Sequence, residues 1–263
     1  MTDPVLSDVT SDGIARIRLN RPEASNGMNA ELLKGLNDAI LAAHADRHVR
    51  VVVLTGEGRN FCAGGDVKTF AAKGKALPDY LREATAWLQI ATASLLRLRA
   101  PVVTGVHGYA AGGGGFGLVC ASDFVVATRS ARFFSGAVRV GMAPDAGSTV
   151  TLAQIVGVRK ALEILVLNPT LSAADAARLG LVNRLVEDDE LETGLLALAG
   201  ELLALPPQAV AATKRLVWNG VGASIDERLG EEARAVSDLS GTADSREGLD
   251  AVISRRSPKF TGS

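Results

Sequence analysis

The amino-acid sequence predicts an α/β fold with a core of parallel strands, followed by a helical C-terminal region. Short apolar β-rich runs alternate with helical stretches up to about residue 146, and short connections between them favour parallel strands. Beyond that point the pattern is helical almost throughout. Two glycine-rich turns, FCAGGD at 61–66 and GYAAGGGG at 108–115, each follow an apolar run and precede a predicted helix. We expect a core domain over 1–200 and a helical region over 201–263.

The predicted elements begin with a β-hairpin over residues 5–19, because apolar residues alternate there around a Ser-Asp-Gly turn. An amphipathic helix follows over 30–45. Further strands are predicted at 51–54, 101–106, 124–127 and 182–186, and further helices at 66–72, 80–98 and 113–121. Segment 73–79 contains Lys, Gly and Pro and is predicted to be the most mobile loop. Later helices are predicted after the cap Ser172, after Pro206-Pro207, and over 244–256.

The composition is that of an ordinary globular chain, with 263 residues, 47% apolar residues and a net charge of −1. No long run of one sign of charge suggests nucleic acid or an acidic membrane surface as a partner. The N-terminus lacks the pattern of a signal peptide, and the apolar stretch at 110–121 is too short to span a bilayer. We therefore expect a cytoplasmic enzyme with no membrane or nucleic-acid partner.

Metal binding is not expected from the cysteines or histidines. Cys62 and Cys120 lack partners at zinc spacing and are predicted to be buried thiols. His44 and His48 are one helical turn apart, but no constellation of carboxylates lies nearby.

The glycine turns themselves predict carbonyl chemistry. A strand that turns through glycine into a helix leaves unpaired backbone N–H groups, and two such turns can direct one N–H each at the same oxygen. The alternative interpretation is that the glycines allow tight helix–strand packing. Gly112, Gly114 and Gly117 also match a dinucleotide-binding pattern, but the strand that follows ends without the acidic residue that such a site requires.

Five segments together resemble the enoyl-CoA hydratase/isomerase (crotonase) superfamily. They are NRPEA at 20–24, FCAGGD at 61–66, GYAAGGG at 108–114, APDAGS at 143–148 and RRSPKF at 255–260. The resemblance implies a core of repeated ββα units with a helical C-terminal trimerisation region. It also implies an acyl-CoA thioester substrate, no separate cofactor because CoA is part of the substrate, and a homotrimer or dimer of trimers.

The resemblance also implies roles for residues at matching positions. The oxyanion donors would be the backbone N–H groups of Gly65 and Gly113. The substrate-binding positions would be Ala24, Ala63, Gly64, Asp66, Val67, Gly112, Phe116, Ala137, Lys259 and Phe260, the last two sometimes reaching CoA from a neighbouring subunit. From its position alone, Asp66 is interpreted as a helix N-cap.

The reaction is the harder question, because the two glutamates of the family's hydratases fall on Phe116 and Ala137. Asp145 matches the aspartate base of the isomerase branch, although it could instead cap a helix starting near Ala146. Phe116, Ala137, Val140 and Met142 are expected to raise the pKa of Asp145. A single carboxylate suits a 1,3-proton shift, so we predict an isomerase that converts 3-enoyl-CoA to 2-enoyl-CoA.

Several alternatives stay open at this point. One is a hydratase that uses an unrecognised acid, and another is an acyl-CoA-binding protein with little catalysis. The branch that attacks aryl halides is disfavoured because Trp87 and Trp218 lie at unsuitable places. Glu83 or Tyr80 could supply a second polar group.

Overall fold

Six strands form the central sheet of the protein. The structure is a computed structural model that describes residues 3–263. The strands are β1 (Val5–Val9), β2 (Ile14–Leu19), β3 (Val51–Gly56), β4 (Val102–Val106), β6 (Phe124–Thr128) and β9 (Arg184–Val186). They lie in the order β1-β2-β3-β4-β6-β9. β1 and β2 form the predicted antiparallel hairpin, and every other neighbouring pair is parallel. The predicted α/β class is confirmed, while residues 1 and 2 of the predicted core domain lie outside the described residues.

A second, smaller sheet contains β5 (Tyr109–Ala111), β7 (Arg132–Phe134) and β8 (Leu171–Ser172). Isolated parallel bridges join Met28 to Gly65 and Cys62 to Ala110, so both glycine turns belong to this layer. The chain therefore repeats one order of elements: a strand of the central sheet, then a short segment of the second layer, then a helix. These strands were not predicted, because segments of two or three residues are too short to show alternation.

Eleven α-helices surround the two sheets in the described part of the chain. They are α1 (Ala30–Ala45), α2 (Val67–Lys73), α3 (Leu77–Arg97), α4 (Gly112–Cys120), α5 (Ser148–Val156), α6 (Val158–Leu162), α7 (Ala173–Arg178), α8 (Leu191–Leu203), α9 (Pro207–Gly220), α10 (Ile225–Ser240) and α11 (Ala243–Ser254). Ser172 caps α7 by accepting a hydrogen bond from the backbone N–H of Asp175, as predicted. Within residues 3–263 no single helix is long and apolar enough to cross a membrane, and α8 and α9 pass that test only as a pair bent by 104°.

The two faces of the central sheet carry separate cores. Val52 and Leu54 point into the larger core, which includes α1, α3 and α4, whereas Val51 and Val53 pack against α8. This alternation is the two-residue period of a strand buried on both faces. The predicted domain boundary at residue 200 falls inside α8, and α9, α10 and α11 follow it.

The prediction of a loop over 73–79 is wrong, because helical turns occupy this segment. α2 ends at Lys73, one 3₁₀ turn spans Gly74–Ala76, and α3 begins at Leu77. Pro78 lies in the first turn of α3. Proline needs no N–H partner there and its fixed φ favours helix initiation, so it starts a helix here instead of marking a loop.

Candidate active site

The two glycine turns lie in direct contact. A Cβ atom added to Gly112 would lie 2.9 Å from Cα of Gly64 and 3.5 Å from the backbone nitrogen of Gly65. Gly64 and Gly112 have φ angles of +99° and +62°, a region that residues with a side chain rarely adopt. Ala111 N–H donates to the Cys62 carbonyl at 2.9 Å and holds the turns together. Segments about fifty residues apart in sequence therefore form one surface.

The Gly65 N–H faces away from Met28. On either side of Gly65, the Gly64 carbonyl accepts from Met28 N–H at 2.8 Å and Asp66 N–H donates to the Met28 carbonyl at 3.0 Å. Because backbone groups alternate sides along an extended chain, the Gly65 N–H is on the opposite side from Met28. Among residues 3–263 it donates to no protein acceptor.

The Gly113 N–H is also free, because Gly113 lies in the first turn of α4. The first N–H groups of a helix have no intrahelical acceptor, and the residue before α4, Ala111, makes no side-chain cap. No acceptor in the described chain binds the Gly113 N–H. Two unpaired amides on touching turns meet a requirement of an oxyanion hole, and their assignment as its donors stays a prediction.

The carboxylate of Asp145 contacts Gly113. A Cβ atom added to Gly113 would overlap Oδ1 of Asp145. In the described part of the chain, this carboxylate pairs with no cation and accepts no hydrogen bond from another residue's side chain. Burial raises the pKa of Asp145 above the ordinary aspartate value, and the hydrogen bond from its own backbone N–H opposes that shift only in part. A carboxylate with a raised pKa beside free amides is suited to accept and return a proton.

Asp145 does not cap a helix, so that alternative is wrong. α5 begins at Ser148, and its N-cap Gly147 makes no side-chain cap. The Asp145 carbonyl, not its carboxylate, accepts from the N–H and Oγ of Ser148 at 3.0 and 2.7 Å. Ala146, which follows Asp145, has a φ of +51°, an unfavourable region for alanine.

The two positions that match hydratase glutamates carry no acid. Phe116 is fully buried in α4, and Ala137 begins the 3₁₀ turn Ala137–Val140. Met142 is half-buried and its N–H donates to the Ala137 carbonyl at 3.0 Å. Val140 is 54% exposed, and its predicted effect on the pKa of Asp145 stays a prediction.

Asp66 is the N-cap of α2, as predicted. Its Oδ1 accepts from the Thr69 N–H at 3.0 Å, and its Oδ2 pairs with the guanidinium of Arg21 at 3.1 Å. Burial acts to raise the pKa of Asp66, but the hydrogen bonds from Thr69 and Arg21 outweigh it and hold the pKa below its usual value. Asp66 therefore stays ionised and organises the first turn.

Arg21 and Asn26 also organise this turn, and neither was predicted to do so. The buried Asn26 side chain donates to the carbonyls of Glu57, Asn60 and Phe61 at 2.8–3.1 Å. Its Oδ1 accepts from the Arg21 N–H at 2.8 Å. Arg21 lies in the NRPEA segment that carries the family resemblance, and Asn26 follows it, but neither position indicates a hydrogen-bond partner.

The remaining predicted substrate-binding residues fall into two separate places. The Ser25 carbonyl, next to Ala24, accepts from Ala63 N–H at 3.0 Å, and Ala63 and Val67 are exposed beside the first turn. Lys259 and Phe260 instead lie along α11, where Lys259 N–H donates to Glu247 at 2.7 Å. Within residues 3–263 no hydrogen bond or ion pair joins Lys259 or Phe260 to the glycine turns. All the CoA contacts stay predictions.

The other candidates are engaged elsewhere. Tyr80 Oη accepts from the Ala30 N–H at 3.3 Å, and Glu83 is exposed. Burial raises the pKa of both Cys62 and Cys120 to about 12, so neither is a ready nucleophile. Among the described residues, no group of three or more His, Cys, Asp or Glu is placed to hold a metal ion.

The protein resembles solved structures over nearly its whole length. The structure superposes on the crystal structure of an enoyl-CoA hydratase from Mycobacterium smegmatis with a TM-score of 0.92 and 32% identity, covering 98% of this chain and 99% of that one. This is the crotonase fold, as the sequence predicted. The family model of enoyl-CoA hydratase/isomerase matches residues 9–263, and the chain belongs to that family.

The relatives include proteins named as hydratases and one named as an isomerase. The chain is 38% identical over 252 residues to a "Probable enoyl-CoA hydratase" of Rhodobacter capsulatus, with 96% of each chain covered. It is 33% identical over 265 residues to the 1,2-epoxyphenylacetyl-CoA isomerase of Escherichia coli, with 100% of each covered.

Proposed function

We propose that this protein is an isomerase that moves the double bond of a 3-enoyl-CoA thioester to the 2 position. The observation that carries the proposal is the contact of Asp145 with Gly113, together with Phe116 and Ala137 at the positions of the hydratase glutamates. A hydratase of the two-glutamate type needs an acid and a base on separate groups, whereas a 1,3-proton shift needs only one carboxylate in two protonation states.

In the proposed reaction, the thioester oxygen is held by the N–H groups of Gly65 and Gly113. Asp145 removes a proton from C2, and negative charge grows on the oxygen as the enolate forms. The two amides stabilise that charge because they are fixed before the reaction begins. Asp145 then returns the proton to C4, and the double bond lies between C2 and C3. The raised pKa of Asp145 supports this cycle, since a more basic carboxylate is a better proton acceptor.

A hydratase is the second candidate, because the relative with 38% identity is named as one. Addition of water would require an acid besides Asp145. Among residues 3–263, no charged neighbour contributes to the raised pKa of Asp145, which argues against a second ionised group beside it.

We also propose that the protein acts as a homotrimer or a dimer of trimers in the cytoplasm, with CoA as part of the substrate and no other cofactor. Support for assembly comes from exposed apolar side chains on the last two helices, including Ile225, Val236 and Val252. Large exposed apolar surfaces often mark contacts between proteins.

The test is to incubate the purified protein separately with 3-enoyl-CoA and with 2-enoyl-CoA. Conversion of the first substrate, with no water added to the second, supports the isomerase. Water addition to 2-enoyl-CoA would replace it with the hydratase. Tight binding of both without turnover would indicate an acyl-CoA-binding protein.

A further inference from the structure

We infer that Arg21 is a positioning residue for the Gly65 amide, so that the oxyanion-binding strength of the first glycine turn depends on a side chain outside that turn. The inference rests on the proposed function, because it assigns Gly65 to the thioester oxygen. Arg21 follows β2 and lies forty-four residues before Gly65 in sequence.

Arg21 joins the two segments that flank the Gly65 amide. Its Nη1 donates to the Gly27 carbonyl, and its Nη2 lies 3.1 Å from Oδ2 of Asp66. Gly27 precedes Met28, and Asp66 follows Gly65. Met28 and Gly65 form the parallel bridge that determines which way the Gly65 N–H points. One guanidinium therefore ties together the residues adjacent to both sides of that bridge.

The geometry requires an arginine. The planar guanidinium presents several donors in fixed directions, so it can bind a carbonyl and a carboxylate at once. A lysine ammonium is a compact charge on a flexible stem and would not hold both acceptors in one orientation. Asn26 fixes the other end of the segment, because its Oδ1 accepts from the Arg21 N–H at 2.8 Å.

The ion pair is also protected from solvent. The Arg21 and Asp66 side chains are 19% and 11% exposed, whereas the pair formed by Arg16 and Asp8 is 44% and 37% exposed. Exposed pairs contribute little because water and salt screen them, and buried pairs are screened much less. The isolated bridge has no long ladder to support it, so loss of Arg21 would let the Gly65 N–H rotate away from its direction.

The experiment measures hydrogen bonding at the thioester carbonyl with butyryl-CoA that carries ¹³C at that carbonyl. This saturated probe has no double bond to shift. The infrared C=O stretch of the bound probe is compared with that of the free probe. In the wild-type protein we expect the stretch to move to lower frequency, because hydrogen bonds polarise the carbonyl. In Arg21→Met we expect most of that shift to be lost, with the probe's Kd within about threefold of wild type.

The same variants are assayed for isomerisation of 3-enoyl-CoA. Arg21→Met should lower kcat by about 100-fold with KM nearly unchanged, because a donor misplaced by about 1 Å loses much of its effect on the transition state. Arg21→Lys should recover only part of the loss. Arg16→Met is the control, since it removes the exposed arginine–aspartate pair between β1 and β2 and should leave both readouts unchanged.

The outcomes separate this inference from the proposed function. A carbonyl shift in Arg21→Met equal to that of wild type overturns the role of Arg21. If the wild-type protein shifts the carbonyl stretch but does not isomerise 3-enoyl-CoA, the proposed reaction is wrong. The infrared comparison of wild type with Arg21→Met then decides the role of Arg21. No wild-type shift overturns both. If Arg21→Met does not fold, Asp66→Asn tests the same link, since asparagine keeps a cap for α2 but removes the charge that Arg21 pairs with.

Discussion

Oδ1 of Asp145 occupies the space that a Cβ atom on Gly113 would need. The proposed base and one proposed oxyanion donor therefore share a contact that only glycine permits at position 113. The amide must approach the substrate oxygen, and the carboxylate must reach the adjacent carbon. This contact places the carboxylate of Asp145 beside the residue that carries the amide.

Replacing Gly113 with alanine should remove activity by displacing Asp145. The new methyl group would overlap the carboxylate, and either the side chain of Asp145 or the start of α4 must move. We expect kcat to fall by at least about 100-fold, since small displacements of reacting groups have effects of that size. Steady-state kinetics with 3-enoyl-CoA would measure it. Gly200→Ala is the control, because a Cβ there meets nothing within 4 Å, and activity should not change.

Replacing Asp145 with asparagine should abolish turnover while leaving acyl-CoA affinity within several-fold. Asparagine has similar size but cannot accept the proton, and loss of a general base typically costs about 10²–10⁴-fold in rate. Kinetics and equilibrium binding of a saturated acyl-CoA would check both parts. A variant that retained most of its activity would place the base elsewhere in the chain.

The Asp145→Asn variant should also be more stable than wild type at neutral pH. The pKa of Asp145 is raised in the folded protein, so the folded state disfavours the charged carboxylate. Stability is therefore lost as pH rises from the ordinary aspartate pKa through the raised one, and the neutral variant avoids that loss. Thermal unfolding at several pH values should show an advantage for the variant that shrinks as the pH falls. An equal Tm at every pH would contradict this prediction.

The pH dependence of kcat should have its acid limb above the ordinary aspartate pKa of about 3.9, because Asp145 must be deprotonated to act as a base. Activity should rise with pH through the raised pKa of Asp145 and then level off. A pH–rate profile measured under saturating substrate would show this limb. An acid limb at or below the ordinary value would mean that burial does not control the base.

Lys214 on α9 should be important for stability but not for chemistry. Its ammonium lies 2.6 Å from Asp123 and donates to the carbonyls of Leu95 and Ala100, and both charged side chains are almost fully buried. Burial lowers the pKa of Lys214 even beside this carboxylate. Lys214→Met would leave a buried charge without its partner, and we expect a loss of about 3 kcal/mol in the free energy of unfolding. Denaturant unfolding measures this loss.

The matched control for that prediction is Lys34→Met, which breaks an exposed pair with Asp38 at 2.7 Å. Surface pairs contribute about 0–1 kcal/mol, so this variant should unfold almost like wild type. Comparable losses in both variants would show that the buried pair has no special role in holding α9 to the core.

Asp244 should control the order of the C-terminal tail. Its buried carboxylate accepts from the N–H groups of Thr261 and Gly262 at 2.7 and 2.9 Å. Asp244→Ala would leave these amides unpaired, so we expect faster hydrogen exchange across residues 259–263. If Lys259 and Phe260 reach CoA as predicted, the Kd for acyl-CoA should also rise. Asp226→Ala, in the first turn of α10, is an exposed control that should change neither quantity.

Local patterns were sufficient to predict the elements that depend on near neighbours. The hairpin, α1, the Ser172 cap of α7 and the Asp66 cap of α2 each follow from residues within a few positions of one another. The crotonase fold required five separate motifs to be read together, because no single one specifies it.

The contacts that define the candidate site could not be predicted from local patterns. Three contacts join residues that are distant in sequence: Gly64 with Gly112, Arg21 with Asp66, and Asp145 with Gly113. Pro78 shows the opposite difficulty, since the same residue can end one segment or start another depending on its position in the turn.

The alternation of backbone groups across residues 64–66 has a consequence for chain length. Deleting or inserting one residue between Cys62 and Asp66 would exchange the inward and outward sides of this segment, presenting a carbonyl where the amide now stands. The 3₁₀ turn Gly74–Ala76 is exposed and makes no such alternating pair of bonds to Met28. Homologous enzymes that share this chemistry should therefore tolerate gaps at that turn and none in the five residues from 62 to 66.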